Sequence, residues 1–231
     1  MKKTKNISFL FLFLFLISSL TNAQQVYIGS GFGTATFDDY VTSSGENTLD
    51  NSGYSKPLEL SFEGGFLFNL YKQKVKLDIG LHYSKYKINT SFYSGNIRIP
   101  TTYNLSYFGL KGGLNVTLLR WERLKLNLHP YFTYDWLTYG TNAYRNVLLD
   151  IYKEKTLDRT LLSFHIELGL ENRISDEISI YIHYNIAKSI TEENEDSTVG
   201  EKYSLDRRAI TIGLLFDISQ INNWRIWERR R

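Results

Sequence analysis

The 231-residue chain contains no cysteine, which excludes disulfides, thiolate metal sites and a lipid-modified N-terminal cysteine. It also lacks a second long apolar run after Leu20, so membrane-spanning helices of about 20 apolar residues have no sequence to form from. An excess of one charge sign is missing as well. The net charge of +3 comes from 27 basic and 24 acidic residues, and Lys2, Lys3 and Lys5 account for the whole excess. The remainder is formally neutral and lacks the positive field of a nucleic-acid binder, so no nucleic-acid partner is expected.

What is present begins with an export signal. The basic start is followed by the apolar stretch Ile7 to Leu20 and then Thr21-Asn22-Ala23, the three-part pattern of a secretory signal peptide. At about 14 residues the apolar stretch is too short to span a bilayer as a helix. The reading is a signal over 1–23 cleaved after Ala23, one domain over 24–218 and a tail over 219–231.

Beyond the signal the dominant period is two. Leu58, Leu60, Phe62, Phe66, Phe68 and Leu70 share one parity, while Glu59, Ser61, Glu63 and Asn69 share the other. A helix would mix these sets, whereas a strand separates them. The same alternation recurs from Val75 to Ser84, Phe108 to Leu118, Leu124 to Trp136, Leu161 to Glu171, Glu177 to Ile186 and Ala209 to Ile218. A weaker first strand lies near Val26 to Phe37, which makes eight. Tyr103, Leu105 and Tyr107 break phase with Phe108 and Leu110, which predicts a β-bulge near Ser106.

Connections alternate in length. Short turns follow the second, fourth and sixth strands, and long polar segments occupy roughly 38–57, 89–101, 139–159 and 190–206. Five or six large apolar residues per strand are too many for the interior of an eight-stranded barrel, so that face belongs outside against lipid. The other face is rich in Gly, Ser, Asn, Thr and His and carries charges of both signs, which suits a lumen whose charges pair across it. The expected fold is all-β: an eight-stranded, antiparallel, up-and-down transmembrane β-barrel with a plugged lumen and a periplasmic N-terminus.

With these features the chain resembles the small eight-stranded outer-membrane barrels, the group of the OmpA membrane domain, OmpX and OmpW and of the outer membrane protein β-barrel domain. Thr211, Gly213, Phe216 and Ile218 are similar to the terminal signal of such barrels, polar then Gly then two hydrophobic positions. The resemblance implies location in the bacterial outer membrane, contact with its lipids and lipopolysaccharide, and recognition by the barrel-assembly machinery during biogenesis. It departs from the usual pattern in residues 219–231, where Trp224, Arg225, Trp227 and Arg229 to Arg231 continue past the expected terminal aromatic. That tail reads as a frayed terminus or as a foot on inner-leaflet headgroups or a partner.

The lumen network predicted from parity comprises Glu63, Asp78, His82, Lys111, Lys125, His129, Asp135, His165, Glu167 and His183. All four histidines fall on this face. The histidines allow a metal site with Glu63 or Glu167 or a hydrogen-bonded polar network, and the network is the preferred reading; no metal and no cofactor are assigned. Ser163, His165 and Glu167 are the group to test for a lipopolysaccharide-modifying hydrolase, but all three point inward and no catalytic residue is assigned. Gly29, Gly31 and Gly33 lie on one face of a strand with no helix after them, which admits bulky neighbours rather than cradling a phosphate.

The long-loop end is acidic through Asp38, Asp39, Glu46, Asp50, Glu192, Glu193, Glu195 and Asp196, and the short-turn end is basic through Lys72, Lys74, Arg120, Arg123 and Arg173. Val147, Leu148, Leu149, Ile151 and Tyr152 form an apolar patch that extends a strand or meets another membrane component. The function these features favour is a non-enzymatic barrel with a structural or interaction role through its external loops, with an envelope protein as a possible partner. The alternatives are an accessory component of secretion or surface assembly and a lipopolysaccharide-modifying enzyme.

Overall fold

Along Thr160–Arg173 the side chains alternate between two environments: Ile166, Leu168 and Leu170 are 48%, 50% and 43% exposed, whereas Glu167 and Glu171 are 1% and 3% exposed. Carboxylates inside and aliphatics outside invert the pattern of a water-soluble protein. The computed structural model describes residues 25–41, 49–51, 53–94, 97–145, 147–154, 157, 159–190 and 202–218. The signal over 1–23, the tail over 219–231 and the acidic segment with Glu46 and Glu192 to Asp196 lie outside the described residues.

In chain order the elements are β1 (Gln25–Val41), β2 (Leu49–Asp50), β3 (Glu59–Tyr71), β4 (Val75–Ser94), β5 (Ile97–Arg120), β6 (Leu124–Tyr144), β7 (Val147–Leu149), α1 (Ile151–Glu154), β8 (Thr160–Arg173), β9 (Ile178–Ile190) and β10 (Lys202–Asp217). Eight of the strands close an antiparallel ring in the order β1, β3, β4, β5, β6, β8, β9, β10. Closure comes from β1 against β10, paired from Gln25↔Asp217 up to Val41↔Lys202. A closed ring leaves no sheet edge, the condition for a β-structure to sit in hydrocarbon.

The three short connections are hydrogen-bonded turns. Between β3 and β4, Lys74 N–H donates to the Tyr71 carbonyl at 2.8 Å while Lys72 and Gln73 take φ of 43° and 57°, the positive pair that a type I′ hairpin turn requires. Between β8 and β9, Ser175 Oγ accepts from the N–H groups of Glu177 and Ile178, both at 3.2 Å.

At the opposite end the strands outrun the membrane. β4, β5 and β6 have 20, 24 and 21 residues, about twice the 9–11 a tilted strand needs to cross. Their ends pair with β2 and β7 in a projecting sheet. This corrects the loops expected over 89–101 and 139–159. The first is nearly all strand, since β4 and β5 pair as far as Ser94↔Ile97, and the second holds the end of β6, β7 and α1. β10 likewise starts at Lys202, inside the loop expected over 190–206. Polar runs such as Asn89-Thr90-Ser91 carry no apolar alternation, so the backbone pairing that makes them strands leaves no trace in hydropathy.

The interior changes character along the barrel axis. In the short-turn half it is mainly polar, with Leu67 and Leu215 packed against Tyr27 and Tyr181. Toward the long-loop end, Phe37, Ile88, Tyr103, Leu105, Tyr107, Leu137, Tyr203 and Leu205 pack into an apolar cluster with Ile151 of α1. Phe37 meets Tyr103 and Tyr203 edge-on at 5.0 and 5.7 Å. The cluster also explains the predicted break in phase. Tyr103, Leu105, Tyr107 and Lys111 all face inward without interruption; the interior, not the strand, switches from apolar to polar. A bulge is present at this level, with Ser106 opposite Tyr139 and Tyr107 opposite Leu137, and the extra residue is Thr138 on β6.

The apolar patch at 147–152 divides accordingly. Val147 and Leu148 stay 46% and 67% exposed on β7, while Ile151 is buried in the cluster. At the start of α1, the Asp150 carboxylate accepts the Lys153 N–H at 3.0 Å, which holds its carboxyl below the usual carboxylate range.

Candidate functional site in the polar lumen

Inward positions of the polar half stack in three layers. Nearest the short turns, Lys125 Nζ pairs with Glu171 Oε1 at 2.5 Å, Asn127 donates to Glu171 Oε2 at 3.3 Å, and Lys76 donates to the Gln25 amide oxygen. This layer opens on a vestibule of about 800 Å³ lined by the short turns, with Lys72, Arg120, Arg123 and Arg173 at its rim.

The middle layer centres on Lys111 of β5. Its ammonium lies 2.9 Å from Glu63, 3.5 Å from Asp78 and 3.9 Å from Glu167, carboxylates supplied by β3, β4 and β8. It also sits 4.2 Å from the Tyr131 ring centroid, a cation–π contact in a desolvated setting. His129 bridges two carboxylates, Nε2 to Asp78 Oδ2 at 2.7 Å and Nδ1 to Glu167 Oε2 at 3.0 Å. His183 Nδ1 reaches the same Glu167 oxygen at 3.2 Å. Tyr27 donates to Asp78 at 2.8 Å, and Tyr181 donates to Glu63 at 3.0 Å.

The third layer pairs Asp135 with Arg207, 3.1 Å from Nη1, and with His82 Nε2 at 2.9 Å. Arg207 reaches from β10 toward Tyr86 on β4, 3.3 Å away across the lumen. His165 Nε2 lies 3.2 Å from Arg207 Nη2. A guanidinium only donates, so Nε2 accepts and Nδ1 carries the proton, donated to Asn185 Oδ1 at 3.3 Å. Asn185 in turn donates to Glu167 at 3.1 Å and so ties the third layer to the middle one.

Glycines on the inward face make room for these side chains. A Cβ on Gly169 would strike the His183 ring, and one on Gly213 would strike Tyr181; only glycine lets neighbouring rings lie flat on the wall.

Of the ten residues assigned to the lumen network by parity, Glu63, Asp78, Lys111, His129, Glu167 and His183 share the middle layer. His82, Asp135 and His165 share the next, and Lys125 stands at the vestibule. Parity as read from hydropathy leaves out further members of the network, among them Arg207 and Tyr27. Arg207 fell just ahead of the last strand as read from hydropathy, although Leu205, Arg207, Ala209 and Thr211 share one parity. Tyr27 was obscured by the glycines of β1. In the terminal segment, Thr211 is buried and faces inward, Gly213 pairs with Gly29, Phe216 pairs with Val26 and Ile178, and Ile218 lies just past the end of β10.

A closed ring of antiparallel strands with aliphatic and aromatic side chains outside and ion pairs inside is a transmembrane β-barrel. The model of the outer membrane protein beta-barrel domain matches residues 7–216. The chain belongs to that family, which places it among the barrels of the bacterial outer membrane. No curated protein matches the chain. Among solved structures it is similar to neisserial surface protein A, with 9% identity and a TM-score of 0.47 over 83% of this chain and 96% of that one. It is also similar to OprG of Pseudomonas aeruginosa, with 13% identity and a TM-score of 0.40 over 84% and 96%. The attachment invasion locus protein of Yersinia pestis matches with 12% identity and a TM-score of 0.37 over 84% and 98%.

Proposed function

We propose that the protein is a non-enzymatic outer-membrane barrel with a lumen closed to solutes, which serves a structural or interaction role through its external end. The observation that carries this reading is the series of contacts across the axis: Tyr181 to Glu63, Arg207 to both Asp135 and Tyr86, and Tyr107 to Tyr203. Each joins strands far apart in the ring, so successive levels of the interior are bridged by side chains. Ser163, His165 and Glu167 are buried within this network, away from the acyl chains that a lipid hydrolase must reach, which weighs against the enzymatic alternative.

In this reading the chain is exported, loses residues 1–23 by cleavage after Ala23, and is delivered to the barrel-assembly machinery through Thr211, Gly213, Phe216 and Ile218. Outer-membrane lipids and lipopolysaccharide then surround the apolar belt. Liposomes carrying the folded protein swell no faster in small sugars than protein-free liposomes. Rapid swelling contradicts the closed lumen.

A second reading, an accessory role in secretion or surface assembly, draws on the projecting sheet, where Ile97 and Leu148 are 60% and 67% exposed. Apolar side chains beyond the membrane suit contact with another envelope protein. A photo-crosslinker at position 148 tests it in intact cells: a single discrete adduct supports this role, and none contradicts it.

A further inference from the structure

The charge count of the Lys111 layer differs from that of its neighbours. Asp135 has Arg207, and Glu171 has Lys125 with Lys76 in the same layer, at least one cation for each carboxylate, but Glu63, Asp78 and Glu167 share the single ammonium of Lys111. The side chains of Asp78 and Glu167 are 0% and 2% exposed. Two uncompensated negative charges in such an interior are costly, so the layer is balanced by protons or by a further cation.

The histidines mark where. A neutral imidazole has one N–H. If His129 donates it from Nε2 to Asp78, its Nδ1 turns a lone pair toward Glu167 Oε2 at 3.0 Å, and His183 Nδ1 faces the same oxygen at 3.2 Å. Two imidazole nitrogens thus converge on one carboxylate oxygen, an arrangement that protons on Nδ1 or a metal ion between the three atoms would satisfy.

We propose that His129, Glu167 and His183 form a binding site for a divalent cation of the zinc class. Their ligand atoms all lie within 4.8 Å of one another. Zinc bonds of about 2.0–2.2 Å in tetrahedral geometry separate donors by about 3.3 Å, so the layer is close to the required arrangement. The outer shell is also in place. Asp78 Oδ2 lies 2.7 Å from His129 Nε2, while Tyr131 at 2.7 Å and Asn185 at 3.1 Å hold the other oxygen of Glu167. Such partners orient ligands and raise their basicity. A cavity of about 20 Å³ beside His129 and His183 has room for one water as the fourth ligand. Glu171 and Leu215 line both this cavity and the short-turn vestibule, so the site lies next to the vestibule. A divalent ion and Lys111 together neutralise the three carboxylates. The ion ties β6, β8 and β9 together, and its binding is independent of whether solutes cross the lumen.

The test uses untagged, folded protein in detergent, stripped with a chelator and titrated with Zn²⁺ against a chromophoric competitor near neutral pH. One Zn²⁺ per chain is expected, with at least a hundredfold loss of affinity in His129→Gln, His183→Gln and Glu167→Gln. His165→Gln, one layer away, retains binding, and Asp78→Asn weakens it by about 10–100-fold. Co²⁺ gives a tetrahedral visible spectrum in the wild type. Should the ligand variants fail to fold, the wild-type stoichiometry and Co²⁺ spectrum decide. Folded wild type that takes up no Zn²⁺, or binding unchanged in His129→Gln and His183→Gln, overturns the proposal.

Discussion

The hydroxyls of Tyr107 on β5 and Tyr203 on β10 meet at 2.7 Å, although the two strands lie on opposite sides of the ring. Both rings belong to the apolar cluster in the long-loop half. Leu205 stands beside them with no exposed surface. Leu205→Ala leaves a cavity there and lowers stability by about 2–5 kcal/mol. Urea titration of the folded barrel in lipid, followed by heat-modifiable gel mobility, checks this; a change below 1 kcal/mol contradicts tight packing of the upper interior.

Lys111 is the shared cation of three carboxylates. Lys111→Met strands buried charge and costs about 3–5 kcal/mol. Lys188, which reaches Asp38 at 2.5 Å with its side chain 62% exposed, provides the contrast: Lys188→Ala costs at most about 1 kcal/mol. Equal losses in the two variants would contradict the layered interior.

Gly169 and Gly112 separate the two faces of the wall. A Cβ at Gly169 meets the His183 ring, whereas one at Gly112 meets nothing. Gly169→Val is expected to cost about 1–3 kcal/mol through overpacking. Gly112→Val is neutral or stabilising, since a branched side chain suits a strand. Unfolding midpoints of the two variants check the sign of each.

The β3–β4 turn carries positive φ at Lys72 and Gln73, where non-glycine residues are strained. Gln73→Gly relieves that strain and stabilises the barrel by about 0.5–1 kcal/mol, as expected of a type I′ turn. A lower urea midpoint would show that the turn is held by other contacts.

The membrane half of the barrel was readable in the sequence because its two faces differ in hydropathy at every step: Phe164, Ile166 and Leu168 alternate with His165, Glu167 and Gly169. The projecting half was not. There Tyr103, Leu105 and Tyr107 are inside while Lys85 and Lys87 are outside, the reverse sense, and the change of sense looks like a bulge on one strand. Thr138, the actual extra residue, has nothing in its chemistry to mark it. Parity puts all four histidines on one face of their strands, but which of them meet is set by strand stagger, which decides whether His129 faces His183 or His165. Arg207 was missed because a charged residue flanked by Asp206 and Arg208 reads as loop until the parity of β10 is carried upstream.

The even positions of β8 face acyl chains while the odd ones pack in the lumen. With no native cysteine, spin labels placed singly at Ile166→Cys and Leu168→Cys, and at Ser163→Cys in the lumen, report this directly in lipid bilayers. Labels at 166 and 168 are expected to be accessible to oxygen dissolved in the membrane, while the label at 163 is shielded from it. A label at 163 as accessible to membrane oxygen as those at 166 and 168, or labels at 166 and 168 reached instead by a water-soluble relaxation agent, would contradict that orientation.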